Sequence, residues 1–211
     1  MELLDPVEVR VLGALIEKEG TTPEYYPLSL NALVNACNQK SNRDPVVDYD
    51  QDSVHDAVER LREKKLALTI VGSGRVTKYA QRISETLNLG RRELAVLCTL
   101  LLRGPQTLGE IKDRSERMFA FAENAEIERV LEKLAGWPER PLAKKLARQA
   151  GQKEARYTHL LSGEPEIELL SEAAPPVQPT RIAQLEQQIE QLRSDLKELQ
   201  QRFNELEEQL R

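Results

Sequence analysis

Residues 7–16, Val7-Glu8-Val9-Arg10-Val11-Leu12-Gly13-Ala14-Leu15-Ile16, return in altered form as residues 92–101, Arg92-Glu93-Leu94-Ala95-Val96-Leu97-Cys98-Thr99-Leu100-Leu101. Both stretches space their apolar residues as an amphipathic helix does. Each runs on to a glycine, Gly20 and Gly104, which suits a helix C-terminus. Working outward, a second helix follows in each copy, with Ser29 placed to cap LNALVNACN and Thr107 to cap LGEIKDRSE. A third helix gathers Val54, Ala57, Val58 and Leu61 on one face in the first copy. Ile127, Val130, Leu131 and Leu134 do the same in the second.

A hairpin signal closes each copy. Residues 66–71 and 75–79 flank Gly72-Ser73-Gly74, and residues 142–148 and 153–161 flank Gln149-Ala150-Gly151-Gln152. Helix, helix, helix, hairpin is the order of a winged helix-turn-helix. The expected fold is therefore mainly α with small β-hairpins: two tandem winged helix-turn-helix domains followed by a C-terminal coiled-coil helix. The expected boundaries are 1–86 and 87–163 for the two domains, 164–179 for a Pro/Glu-rich linker and 180–211 for the coiled coil.

The linker carries Pro165, Pro175, Pro176 and Pro179, which favour an extended spacer. Beyond it, Ile182, Leu185, Ile189, Leu192, Leu196, Leu199, Phe203, Leu206 and Leu210 recur in alternating steps of three and four. A stripe that narrow buries itself against another helix of the same kind. Ile at the first two a positions with Leu at every d position favours a dimer. Among the cross-helix pairs only Arg202–Glu207 matches in charge, so orientation stays open. The expected partner is a second copy of the chain.

The stretch Thr21-Thr22-Pro23-Glu24-Tyr25-Tyr26-Pro27-Leu28-Ser29-Leu30-Asn31-Ala32-Leu33 continues through Val34-Asn35-Ala36-Cys37-Asn38-Gln39-Lys40-Ser41-Asn42-Arg43-Asp44-Pro45-Val46. It resembles the signature of the YceH-like family of uncharacterised bacterial proteins, with weaker agreement at residues 73–76 and in the second copy. The resemblance covers roughly residues 1–165 and a C-terminal helix. It implies a tandem winged-helix fold and supplies no activity and no catalytic or binding residue.

Composition narrows the function. The chain has 211 residues and a formal net charge of −5. Residues 1–90 carry eleven basic and fourteen acidic side chains, and residues 91–170 carry fourteen and thirteen, so neither copy has the basic excess of a dedicated nucleic-acid binder. No apolar run reaches the ~18 residues of a membrane span. MELLDPVEVR places acids where a signal peptide is basic, so a cytoplasmic location is expected. Cys37 and Cys98 sit inside apolar helical patterns and read as small buried hydrophobes. No phosphate loop, nucleophile elbow or metal-ligand spacing appears, so neither enzymatic activity nor a cofactor is expected.

Two functional readings remain open. A DNA-associated regulator would use basic hairpin residues on phosphates. The candidates are Arg75 and Lys78 in the first copy and Lys144, Lys145, Arg148, Lys153 and Arg156 in the second. From Glu139 to Arg156 six basic residues face two acidic ones. Against this, the outward face of the first copy's third helix holds Asp52, Asp56, Glu59 and Glu63, which phosphates would repel. The alternative is a protein-interaction adaptor. It would bind a protein through its winged helices and the polar loop 38–51, whose candidate recognition residues are Asn38, Gln39, Lys40, Asn42, Arg43 and Asp44 and which is longer than a helix-turn-helix connection needs. The other reading of that run is an ordered loop that satisfies its own backbone.

Overall fold

Asp5 sets where the fold begins. Its carboxylate accepts from the Val7 and Glu8 amides at 2.8 Å, and Glu8 reaches back to the Asp5 amide at 2.8 Å. This capping box, with Pro6 in the first turn, starts helix α1 (Pro6–Thr21). The computed structural model describes residues 2–71, 76–148, 152, 154–165, 191 and 200. After α1 come β1 (Leu28–Ser29), α2 (Leu30–Cys37), α3 (Gln51–Glu63), β2 (Ala67–Ile70), β3 (Lys78–Gln81) and the short α4 (Ile83–Thr86). Then follow α5 (Arg91–Arg103), α6 (Leu108–Ser115), α7 (Asn124–Ala135), β4 (Ala143–Lys145) and β5 (Tyr157–His159). The fold is mainly helical, with small antiparallel sheets ordered β1-β3-β2 and β4-β5. The chain divides into two units, 1–168 and 169–211, and every element named here belongs to the first.

The same local plan appears twice. Ser29 accepts from the Ala32 amide at 3.3 Å to cap α2, and Thr107 accepts from the Glu110 amide at 3.3 Å to cap α6. Just before each cap the backbone joins the hairpin that closes its half: Leu28 pairs with Tyr79, and Gln106 bridges Tyr157. The hairpin registers are Ala67↔Gln81 through Ile70↔Lys78, and Ala143↔His159 through Lys145↔Tyr157. Val54, Ala57, Val58 and Leu61 are buried on α3, as are Ile127, Val130, Leu131 and Leu134 on α7. Tyr26 packs and its hydroxyl oxygen accepts from the Gln81 amide at 2.6 Å, whereas Tyr25 is exposed.

The central helices differ from the one-faced pattern that the sequence suggests. Glu8 to Ile16 of α1 are buried without interruption, and so are Ala95 to Leu102 of α5. Each packs its own half on one side and the other central helix on the opposite side, so no face is left for water. One hydrophobic cluster consequently runs through both halves. The helices meet where Cys98 Sγ lies 3.4 Å from the Gly13 carbonyl oxygen. Gly13 and Cys98 stand 85 residues apart and occupy the same place in the two copies, so α1 and α5 touch at matching positions of the repeat. A Cβ on Gly13 would lie 2.8 Å from Leu102 Cδ2 and 3.3 Å from Leu101 Cβ. Gly20 stands in the last turn of α1, one residue before its end at Thr21, and packs against Met118.

The buried acid at the start of each central helix is also repeated. Glu8 is 1% exposed and meets Lys64 at 2.7 Å and Arg60 at 3.5 Å. Glu93 is 8% exposed and meets Lys133 at 2.6 Å. Each pair ties the start of a central helix to the third helix of its own half. Negative charge there also faces the positive end of the helix dipole.

The close approach at Gly13 makes a direct prediction. Gly13→Val should lower stability by about 1–3 kcal/mol through overpacking against Leu102. Gly109→Ala on α6, where nothing lies within 4 Å of the added Cβ, should be neutral or stabilise by up to ~1 kcal/mol. Urea denaturation of the two variants reads both effects.

Candidate functional site

The outward faces of α3 and α7 are the surfaces most available to a partner. Asp50 caps α3 by accepting from the Ser53 amide at 2.7 Å. Beyond the cap, Asp52, Asp56 and Glu63 are exposed and Glu59 is half-buried. The cations on this helix are already engaged: Arg60 with Asp5 at 2.8 Å, Lys64 at its C-cap with Glu8, and Arg62 with Glu59. On α7, Arg129 pairs with Glu123 at 3.7 Å and Lys133 with Glu93, which leaves Glu132 exposed. Both third helices therefore show carboxylates whose positive neighbours are held within the molecule.

The basic hairpin residues divide into committed and exposed groups. Lys144 meets Glu164 at 3.0 Å. Arg156 donates to the Pro105 carbonyl at 2.8 Å and to Glu110 at 3.0 Å, so it braces the α6 cap. Lys145 lies 5.6 Å from the centre of the Tyr157 ring and remains exposed. Lys78 and Arg148 are also exposed. Arg75 and Lys153 lie outside the described residues, and so does every residue of the heptad seam from Ile182 to Leu210.

The loop after α2 is ordered from within. The Asn38 side chain donates to the Tyr49 carbonyl at 2.7 Å and accepts from the Tyr49 amide at 2.9 Å, closing the loop across eleven residues. Arg43 is 6% exposed and is the loop's anchor. Its guanidinium grips both Glu17 oxygens at 3.0 and 2.7 Å, the Ala36 carbonyl at 2.8 Å and Gln39 at 3.0 Å. Asn42 takes a left-handed φ of 60°, and its side chain accepts from Arg103 of α5. The Asp44 amide donates to the Leu102 carbonyl at 2.9 Å. Of the six candidate loop residues, Arg43, Gln39 and Asn38 are spent on structure, while Lys40, Asn42 and Asp44 are exposed.

Sequence reading missed two concave features where the two halves meet. A crevice of about 160 Å³ lies among α1, α5 and α6, and its lining includes Arg103, Arg114 and Arg117. A cleft of about 440 Å³ runs between the start of α1, residues 44–49 and β5. It is lined by Arg10, which is buried and donates to the Cys37 and Pro45 carbonyls, and by His159, whose imidazole burial pushes down to about 4. These groups come from separated elements of low local contrast, so no spacing rule unites them.

The Arg43–Glu17 pair links this geometry to pH. Burial pushes the Glu17 carboxyl up, but the hydrogen bonds and charge of Arg43, with Lys18, outweigh it and hold it below its ordinary 4.5. A carboxyl lowered in the folded state stabilises above its unfolded pKa, and that contribution is lost as pH falls through the lowered value. Arg43→Ala should therefore cost about 3–5 kcal/mol near neutrality, because it strands a largely buried carboxylate. The deficit relative to the unmodified protein should narrow as pH falls below 4.5, and urea titrations at several pH values measure it.

Comparison with known proteins assigns a family. The family model described as "Protein of unknown function, DUF480" matches residues 4–152. The chain is 50% identical over 206 residues to a UPF0502 protein of Solibacter usitatus, covering 95% of this chain and 98% of that one. It is 53% identical over 202 residues to a UPF0502 protein of Pelobacter propionicus, covering 92% of each. A UPF0502 protein of Opitutus terrae is 50% identical over 194 residues, covering 92% of this chain and 84% of that one. By a family match over most of its length and by relatives aligned nearly end to end, the chain belongs to the DUF480 family, which includes these UPF0502 proteins.

Proposed function

We propose that this protein is a non-enzymatic, cytoplasmic tandem winged-helix adaptor that dimerises through residues 180–211 and docks a protein partner on its third helices. The observation that carries the reading is the face of α3. Asp52, Asp56 and Glu63 are exposed, and Arg60, Arg62 and Lys64 are all paired within the molecule. A helix with that face repels a phosphate backbone and suits a partner with a basic surface. The pairing of β1 at Leu28 and the β-bridge at Gln106, just ahead of α2 and α6, support the winged-helix assignment. The unbroken seam from Ile182 to Leu210 supports the dimer.

The second reading is phosphate contact through the hairpins, and the exposed Lys78, Lys145 and Arg148 favour it. A salt-dependent titration against generic duplex separates the two. The adaptor reading expects no measurable duplex binding at ~50 mM salt with the dimer intact. Binding that is lost when the exposed Lys78, Lys145 and Arg148 are changed to Glu would replace it with the regulator. Light scattering tests the dimer directly. The chain should have twice its 24.0 kDa mass, and Leu192→Asp with Leu199→Asp should return it to 24.0 kDa.

A further inference from the structure

We propose that the crevice among α1, α5 and α6 binds a phosphate oxyanion, held by Arg103, Arg114 and Arg117. The three guanidiniums come from the last turn of α5, the last turn of α6 and the residue pair just beyond α6. They line one crevice with Glu17 and Asp113.

The local carboxylates neutralise them only in part. Both Glu17 oxygens belong to Arg43, at 3.0 and 2.7 Å. Glu110 stands 3.6 Å from Arg114, but its other oxygen is taken by Arg156 at 3.0 Å and the Thr107 amide at 2.9 Å. Arg103 reaches only the Asn42 side-chain oxygen, and Arg117 has no hydrogen bond or ion pair among the described residues. Asp113 is exposed at the rim. The Arg103 guanidinium is held below its ordinary value by burial and then by the like charges of Arg114 and Arg43, which together outweigh the opposing pull of Glu17 and Asp44. Crowded guanidiniums lose that repulsion when a dianion sits between them, and their planar forks match phosphate oxygens.

A crevice of about 160 Å³ has room for a phosphate group. The occupant we assign on the guanidinium lining is inorganic phosphate or the terminal group of a small phosphomonoester. Bound there, it would join α1 and the Asn42 turn of the first half to α5 and α6 of the second. This site is separate from the acidic faces assigned to a protein partner, and its fate is independent of them.

The test is thermal denaturation and calorimetric titration of the full chain with inorganic phosphate and with glycerol 3-phosphate, against potassium chloride at matched ionic strength. A saturable rise in Tm with at least one phosphate compound and none with chloride is expected. Arg117→Gln removes an exposed, unpartnered side chain without touching the core, and should weaken binding by at least about tenfold. Arg91→Gln lies about 18 Å from Arg103 at the other end of α5 and should bind as the unmodified chain does. Binding of the ester alone would assign the site to phosphomonoesters. Phosphate compounds acting no better than chloride, or Arg117→Gln binding undiminished, would overturn the proposal.

Discussion

The crossing of α1 and α5 at Gly13 and Cys98 is the constraint on which the rest of the structure depends. Each helix is buried on every face through its central turns, Glu8 to Ile16 and Ala95 to Leu102, so neither half can leave its central helix uncovered. A three-helix half of this size also has little core of its own. Packing the two central helices together solves both problems, and it does so only because Gly13 lets the backbones approach. The crossing falls at equivalent residues of the repeat, so each helix meets the other's matching surface.

The polar groups follow from that packing. A helix buried from its first turn must satisfy its end without water, and Asp5 with Glu8 does so at α1 through a capping box. In the second half Glu93 is held by Lys133 and reaches back to the Gly90 backbone. The cations that hold these acids come from α3 and α7 and from the α3 C-cap. The same cations that hold the core are thereby paired within the molecule, and the exposed carboxylates of the third helices are left without them. Arg43 plays the matching part for the loop after α2, spending a full guanidinium on Glu17 and backbone carbonyls.

Much of the fold was legible because its signals are local. The caps at Ser29 and Thr107, the buried faces of α3 and α7 and both hairpins can be read from residue type and period, and the structure places all of them. The acidic face of α3 was legible for the same reason. What sequence could not show is long-range. Burial of α1 on all sides depends on a helix 85 residues away, and the role of Gly20 depends on Met118. Arg43 and Arg156 read as candidate ligand contacts because a cation's partner is invisible until Glu17 and Glu110 are placed beside it. The arginine crevice was missed because Arg103, Arg114 and Arg117 share no pattern until the halves are packed.

The central claim is that the two halves fold as one body through the α1–α5 crossing. Trp137 is the only tryptophan and reports on the second half, while amide exchange of α2 and α3 reports on the first. Following both probes through one urea titration tests the claim most directly. Coincident transitions with a single midpoint are predicted. Two separated midpoints, with one half unfolding while the other stays protected, would contradict it.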